Sequence, residues 1–296
     1  LYFMLFNIHR ANYFLLLALG ATLIGFAPIF VKWSDLSPSW ILFYRMLLTL
    51  PFLVLLNLFI NKRFSFKVRN KSTIIYTAIA SAGFTIDLIL WHWSMGITSV
   101  SNATIIINSA PIFVAFLTFL IFKQRLEKNF LISFLITYAG IVGLIFFSNN
   151  YANGKVIGDL MCLLAAFFYA IYLLVISRLG KESSLTVIFY TTFFCCLFSL
   201  PFAFIESGLS MPSTKFEWTN LLLLALLCQF GGQFLITYGI SNISASDGSI
   251  GLLLQPLTAT ILAAYIFNEL INTSQLVFIF IALFGIYLAR LNIAKK

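Results

Sequence analysis

The sequence predicts an all-α polytopic membrane protein: ten transmembrane helices arranged as two inverted five-helix repeats. Three observations carry this. Only 9% of the 296 residues are charged while 61% are hydrophobic. Globular domains carry about 25% charged residues, so this chain has too few to cover a surface in water. Second, apolar runs of about 20 residues, long enough to cross roughly 30 Å of hydrocarbon, recur from end to end. Third, residues 110–140 line up with 255–285, setting Pro111 on Pro256, Phe122 on Phe267, Gln124 on Glu269 and Gly140 on Gly285.

Taken in order, residues 1–9 read as an N-terminal tail whose first three, Leu-Tyr-Phe, resemble a tag remnant. No cleavable signal peptide is expected, because the first apolar run is long enough to span and lacks a small-x-small site. Runs bounded by charges or by Gly/Pro/Asn/Ser clusters place helices at 12–32, 39–61, 72–96, 100–122 and 128–148, a first repeat over 10–150. A second repeat over 151–296 holds helices at 156–179, 184–206, 217–241, 246–268 and 273–293. "SMGITS" (94–99) is echoed by "TYGISN" (237–242), and "FYRMLLTLPF" (43–52) more weakly by "FYTTFFCCLFSLPF" (189–202). Five is odd, so the second copy enters the membrane upside down. Inverted repeats mark secondary transporters, with the substrate site near the midplane between the halves.

The basic residues fix the expected orientation. With the N-terminus in the cytoplasm, Arg10, Lys62, Arg63, Lys67, Arg69, Lys71, Lys123, Arg125, Lys128, Arg178, Lys181, Arg290, Lys295 and Lys296 lie inside. Only Lys32, Lys155 and Lys215 lie outside, and Arg45 falls within a span. Cytoplasmic loops collect positive charge; both termini are therefore expected inside, in a bacterial cytoplasmic membrane. The net charge of +9 is thus a topology signal and does not point to nucleic acid. Cys162, Cys195, Cys196 and Cys228 all lie in apolar runs, as small hydrophobes do, without zinc-type or disulfide spacing.

The chain resembles the EamA-type, ten-helix branch of the drug/metabolite transporter superfamily. The resemblance covers nearly all of 10–292 and rests on "GATLIGFAPIFVKWSDLSPSWILFYRMLLTLPF" and on a proline followed by an acid–basic–Leu pattern. That pattern appears as Pro111…Lys123-Gln124-Arg125-Leu126 and Pro256…Asn268-Glu269-Leu270, with Gln124 replacing the acid in the first copy. The resemblance implies two repeats, a central cavity and transport of small metabolites, often export of amino acids or related compounds.

Polar residues within the spans nominate the site. An aspartate as deep as Asp87 costs about 2.5–3.5 kcal/mol on insertion scales and should face a cavity or the bundle interior. Arg45, at similar depth on the preceding helix, is its natural partner; the pair either neutralises two charges or exchanges with substrate or a coupled proton. Asp87, Trp91 and Ser94 share a helix face, whereas His92 points away towards the mouth, where it could titrate near neutral pH. Trp93 reads as an interfacial belt residue. Asn102 and Asn108 precede Pro111, and Gln255 precedes Pro256; these prolines free a carbonyl one turn earlier and are candidate gating elements. Gln229 and Gln233 fit either interhelical hydrogen bonding or substrate contact, and Tyr44, Tyr190 and Tyr238 are candidate cavity hydroxyls. No cofactor is expected. With no ATP-binding motif visible, active transport would be secondary. The rival classes are an intramembrane enzyme, for which His9 and His92 are too few to build a base or a zinc site, and a scaffold or receptor.

Overall fold

A computed structural model describes residues 10–68, 70–94, 97, 106–123, 128–147, 156–179, 182–266 and 273–294. These residues form helices and turns, with no strand among them. The first crossing is α1 (Arg10–Ile24) and α2 (Ala27–Lys32), interrupted at Gly25-Phe26. There follow α3 (Pro38–Asn61), α4 (Lys71–Ser94), α5 (Ala110–Phe122) and α6 (Lys128–Phe146). The second repeat opens with α7 (Val156–Arg178) and α8 (Ser184–Ser207). Its third crossing is composite: α9 (Lys215–Leu223), a π-helical stretch over Leu224–Gln233, and α10 (Phe234–Ile240). The fourth is again split, into α11 (Ala245–Gly251) and α12 (Leu254–Ile266), before α13 (Thr273–Ala294). Six described crossings are long and apolar enough to traverse a membrane unbroken in hydropathy.

Local chemistry explains the boundaries. Pro28, Pro38 and Pro111 sit in the first turns of α2, α3 and α5, where the missing N–H is no loss. Thr214 and Ser244 cap α9 and α11 by accepting hydrogen bonds from the N–H groups of Glu217 and Asp247. At their C-terminal ends, α3 and α5 stop at left-handed Lys62 and Lys123, whose charge also suits a helix C-terminus.

The packing follows a pseudo-two-fold exchange of the repeats. α4 lies along α7, and its counterpart, the π-helix with α10, lies along α1. α5 packs on α7 as α12 does on α1, while α3 packs on α8 and α6 on α13, each pair being its own image. The last pair shows the symmetry atom by atom. A Cβ on Gly140 would lie 2.5 Å from the Ala282 nitrogen, and one on Gly285 would lie 2.6 Å from the Thr137 nitrogen. Both glycines are there to let backbones touch, which is how helices associate where lipid removes the hydrophobic drive. The core lies along these contacts, and much of the outward face is exposed Leu, Ile and Phe, as a lipid-facing surface requires.

Candidate functional site

Where the broken crossings meet, the two repeats line a cavity of about 100 Å³. Gly25 and Pro28 reach it from the break between α1 and α2, Ile107 and Asn108 from the turn before α5, and Gln255 and Pro256 from the start of α12. Pro111 and Pro256, the candidate gating residues, both occupy the first turn of a new helix after an interruption, the position a residue without an N–H tolerates. Short turn bonds such as Ser109 N–H to Ile106 O (3.0 Å) and Leu253 N–H to Ile250 O (3.1 Å) satisfy the backbone there. Pro111 itself does not line the cavity. At Gly25 a Cβ would meet Thr258 Cβ at 2.5 Å and the Gln255 carbonyl at 3.0 Å, so the first break can sit against the α12 break only as glycine.

The charges come from α3 and α4. Arg45 and Asp87 both line the cavity and are only 2% and 4% exposed. They are close enough to interact electrostatically, yet among the described residues no direct hydrogen bond joins them. Arg45 Nε donates instead to Gln229 Oε1 at 3.1 Å, and the Asp87 carboxylate lines the cavity without a side-chain donor among the described residues. Trp91, one turn on, together with Phe84 and Tyr169, supplies aromatic wall.

The π-helix sets the polar floor. Its widened turn carries both Gln229 and Gln233 into the interior but to different partners. Gln229 holds Arg45 and reaches Thr192 Oγ1 (3.5 Å), whereas Gln233 donates to the Tyr172 hydroxyl (2.8 Å) and lines the cavity. The Thr49 hydroxyl is shared, donating to the Arg45 carbonyl at 2.7 Å with the Ala225 carbonyl of the π-helix a longer second acceptor at 3.3 Å.

The sequence profile of the EamA-like transporter family matches residues 12–146 and 156–291, one match per repeat. The chain belongs to this family. An uncharacterized transporter of Archaeoglobus fulgidus is 27% identical over 285 residues, covering 93% of this chain and 96% of that one. An S-adenosylmethionine uptake transporter of Rickettsia bellii is 27% identical over 213 residues, 70% of each chain. A crystal structure with 12% identity superposes with a TM-score of 0.79 over 97% of this chain and 98% of its own, a likeness of fold. This is a membrane-embedded transporter.

Not every residue expected at the site of this EamA-like protein is there. Asn102 lies outside the described residues. His92 is buried beside α3: its Nδ1–H donates to the Pro38 carbonyl (3.2 Å), and Nε2 has no hydrogen-bond partner. It therefore packs against a neighbouring helix and does not stand at the mouth. Trp93, read as a lipid belt residue, donates its Nε1–H to Glu206 (3.1 Å). Tyr238 stacks on Phe234 and leans on Tyr13 instead of facing the cavity. Tyr44 and Tyr190 are also elsewhere, and their places are related. Tyr44 donates to the Ser210 carbonyl (3.1 Å) and Tyr190 to the Phe66 carbonyl (3.2 Å). Each sits early in its helix and ties it to the loop that follows the other helix of the α3–α8 pair, at opposite poles of the molecule. Tyr169, which lines the cavity with Gln255, is the polar cavity residue that sequence reasoning missed; a tyrosine among "AAFFYAIY" carries no signal of its own.

Proposed function

We propose that this protein is a secondary transporter that moves a small zwitterionic metabolite, an amino acid or related amphipathic compound, across the cytoplasmic membrane by alternating access, with export as the net direction. The observation that carries the reading is one buried cavity, at the meeting of broken helices from both repeats, faced by both Asp87 and Arg45. A substrate ammonium meets Asp87, a carboxylate meets Arg45 on its Gln229 support, and the apolar part lies against Trp91 and Tyr169. Asn108, Gln233 and Gln255 supply neutral hydrogen-bonding groups. Discontinuous helices around a midplane site are how such carriers present backbone and side-chain polarity to a ligand. The substrate named for the Rickettsia relative is itself an α-amino-acid derivative, so it belongs in the same panel. Residues 10–150 and 151–296 act as the two rocking units, and the basic pole faces the cytoplasm with both termini.

The test is flux and binding in proteoliposomes. Amino acids and their derivatives are screened for thermal stabilisation, since a ligand bound only to the folded state raises its apparent stability. Hits are then measured as radiolabelled flux in both directions. Asp87→Asn and Arg45→Gln are each expected to lower flux at least 100-fold. The double variant should regain folding without flux; a well-folded double variant with normal flux would end the assignment. Topology is read separately from single cysteines at Ser72 and Ser213, where an impermeant thiol reagent on intact cells should label only the second.

A further inference from the structure

Two glutamines leave the same π-helical stretch with their amides held in opposite senses. Gln229 commits its carbonyl oxygen to Arg45 Nε at 3.1 Å. Gln233 commits its nitrogen instead, donating to the Tyr172 hydroxyl at 2.8 Å. The Tyr172 oxygen is therefore the acceptor, and its own proton has Thr237 Oγ1 at 3.5 Å. Tyr172 and Thr237 are both fully buried. The tyrosine ring is fixed between neighbours, stacked on Phe84 at 4.5 Å and on Tyr169 at 5.9 Å between centroids. An amide has a donor end and an acceptor end. With the nitrogen held by Tyr172, the end left for the cavity that Gln233 lines is its carbonyl oxygen, which accepts no hydrogen bond among the described residues. The cavity then has two acceptors from opposite repeats, the Asp87 carboxylate and the Gln233 oxygen.

We propose that Tyr172 is a positioning residue that makes the cavity selective for a primary ammonium, acting through the amide of Gln233. The inference rests on the reading of Asp87 as the partner of the substrate's cationic group, and it adds what that carboxylate alone does not decide. A carboxylate attracts any cation, whether –NH₃⁺ or a quaternary –N(CH₃)₃⁺. The aromatic wall of Trp91 and Tyr169 also accepts either form. The Gln233 oxygen discriminates, because only the primary ammonium has an N–H to donate to it. A quaternary group sets methyls against that oxygen and leaves it buried and unpaired. Sites built to hydrogen-bond a substrate N–H reject the analogue that lacks it. Without the Tyr172 hydroxyl, the amide is free to turn about its last torsion and to aim its NH₂ at the cation.

The full chain in proteoliposomes is given leucine, methionine and phenylalanine, each alongside its N,N,N-trimethyl form, and KM and kcat are measured for every compound. The wild type should prefer the free amine by about tenfold or more, the effect of leaving one buried acceptor unpaired. Tyr172→Phe keeps the stacked ring and deletes the hydroxyl. It should raise KM for the amine, leave kcat little changed, and bring the preference to within about twofold, as loss of that one bond implies. Gln233→Met keeps the length and removes the amide. It should give the same loss, and it carries the test alone should Tyr172→Phe fail to fold. Combining the two should cost no more than either, because Tyr172 acts only through Gln233. A merely structural tyrosine would instead slow both forms alike and keep their ratio. Equal use of the two forms by the wild type, a ratio kept in either folded variant, or additive losses in the double variant would overturn the inference and leave the zwitterion reading standing. If no compound of either form binds, or Asp87→Asn leaves flux unchanged, that reading fails first and takes the inference with it.

Discussion

The two poles of the α3–α8 pair are images of one another under exchange of the repeats, yet they are fastened very differently. At the basic pole the Tyr190 hydroxyl bonds to the Phe66 carbonyl, and Phe66 stacks on Phe189 at 3.8 Å. The loop is held mainly within its own repeat, where Asn57 grips both the N–H and the carbonyl of Ser65 (2.9 and 2.8 Å). At the opposite, acidic pole the equivalent Tyr44 bond is only one of several. Trp40 Nε1–H donates to the Gly208 carbonyl at 2.8 Å. The Glu206 carboxylate accepts from the Ser39 N–H (2.9 Å) and from Trp93 (3.1 Å), tying α8 to both α3 and α4. Glu217 accepts from the Ser34 hydroxyl, and Asn220 Nδ2–H donates to the Phe30 carbonyl (2.8 Å). The lesson is that a symmetric fold need not have symmetric closures. Among the described residues, charge-assisted bonds between the repeats are more numerous at this pole, with the Thr73 hydroxyl to Glu182 as the one such tie at the basic pole.

The largest expected effect comes from Glu206→Ala. Hydrogen bonds to a charged group contribute about 1.5–3 kcal/mol each, so removing an acceptor of two should shift an equilibrium between closures by about 100-fold or more. A cysteine at Ala27, which lines the cavity, reports access in a cysteine-free background. Its labelling from the acidic pole should rise by about that factor, and labelling from the basic pole should fall. An unchanged rate from the acidic pole would mean that the carboxylate ties are decoration on a closure made by packing.

A smaller effect is expected from Gly25→Ala. The added methyl would press on Thr258 and on the Gln255 carbonyl, and overpacking of this kind costs about 1–3 kcal/mol. It wedges α2 away from α12 without touching any acidic-pole bond. Labelling at Ala27 from that pole should rise about tenfold, accompanied by a drop in melting temperature. If it rises from the basic pole instead, the break in the first crossing belongs to the other closure.

How much of this could be read from the sequence depends on what burial costs. Asp87, Arg45, Asn108, Gln233 and Gln255 stood out because polar groups in an apolar helix are expensive, and the structure brings all five to one cavity. The crossings were legible for the same reason, through hydropathy and the charges that interrupt it. Tyrosine escapes the logic, since its ring pays for burial whether or not its hydroxyl does chemistry. Tyr169 therefore went unnoticed, and Tyr44 and Tyr190 were placed in the cavity although they hold loops. The π-helix leaves almost no trace in hydropathy. The break at Gly25 did have signals, a glycine followed by Pro28, but the crossing reads as continuously apolar over 12–32.

The smallest prediction separates symmetry from asymmetry most directly. Tyr44→Phe and Tyr190→Phe each delete one hydroxyl, and each leaves a ring packed as before. A neutral hydrogen bond contributes about 0.5–1.5 kcal/mol, so each change should shift access about 2- to 10-fold, and in opposite directions. Losing the Tyr44 bond loosens the acidic pole, raising Ala27 labelling from that side. Losing the Tyr190 bond loosens the basic pole and lowers it. Combining both should return the ratio towards wild type, because distant sites add. If Tyr44→Phe is silent while Tyr190→Phe acts, the redundant ties at the acidic pole carry its closure alone, and the basic pole is the one a single bond governs. Changes in the same direction for both would instead mean that the two tyrosines brace a single conformation and are not a matched pair of latches.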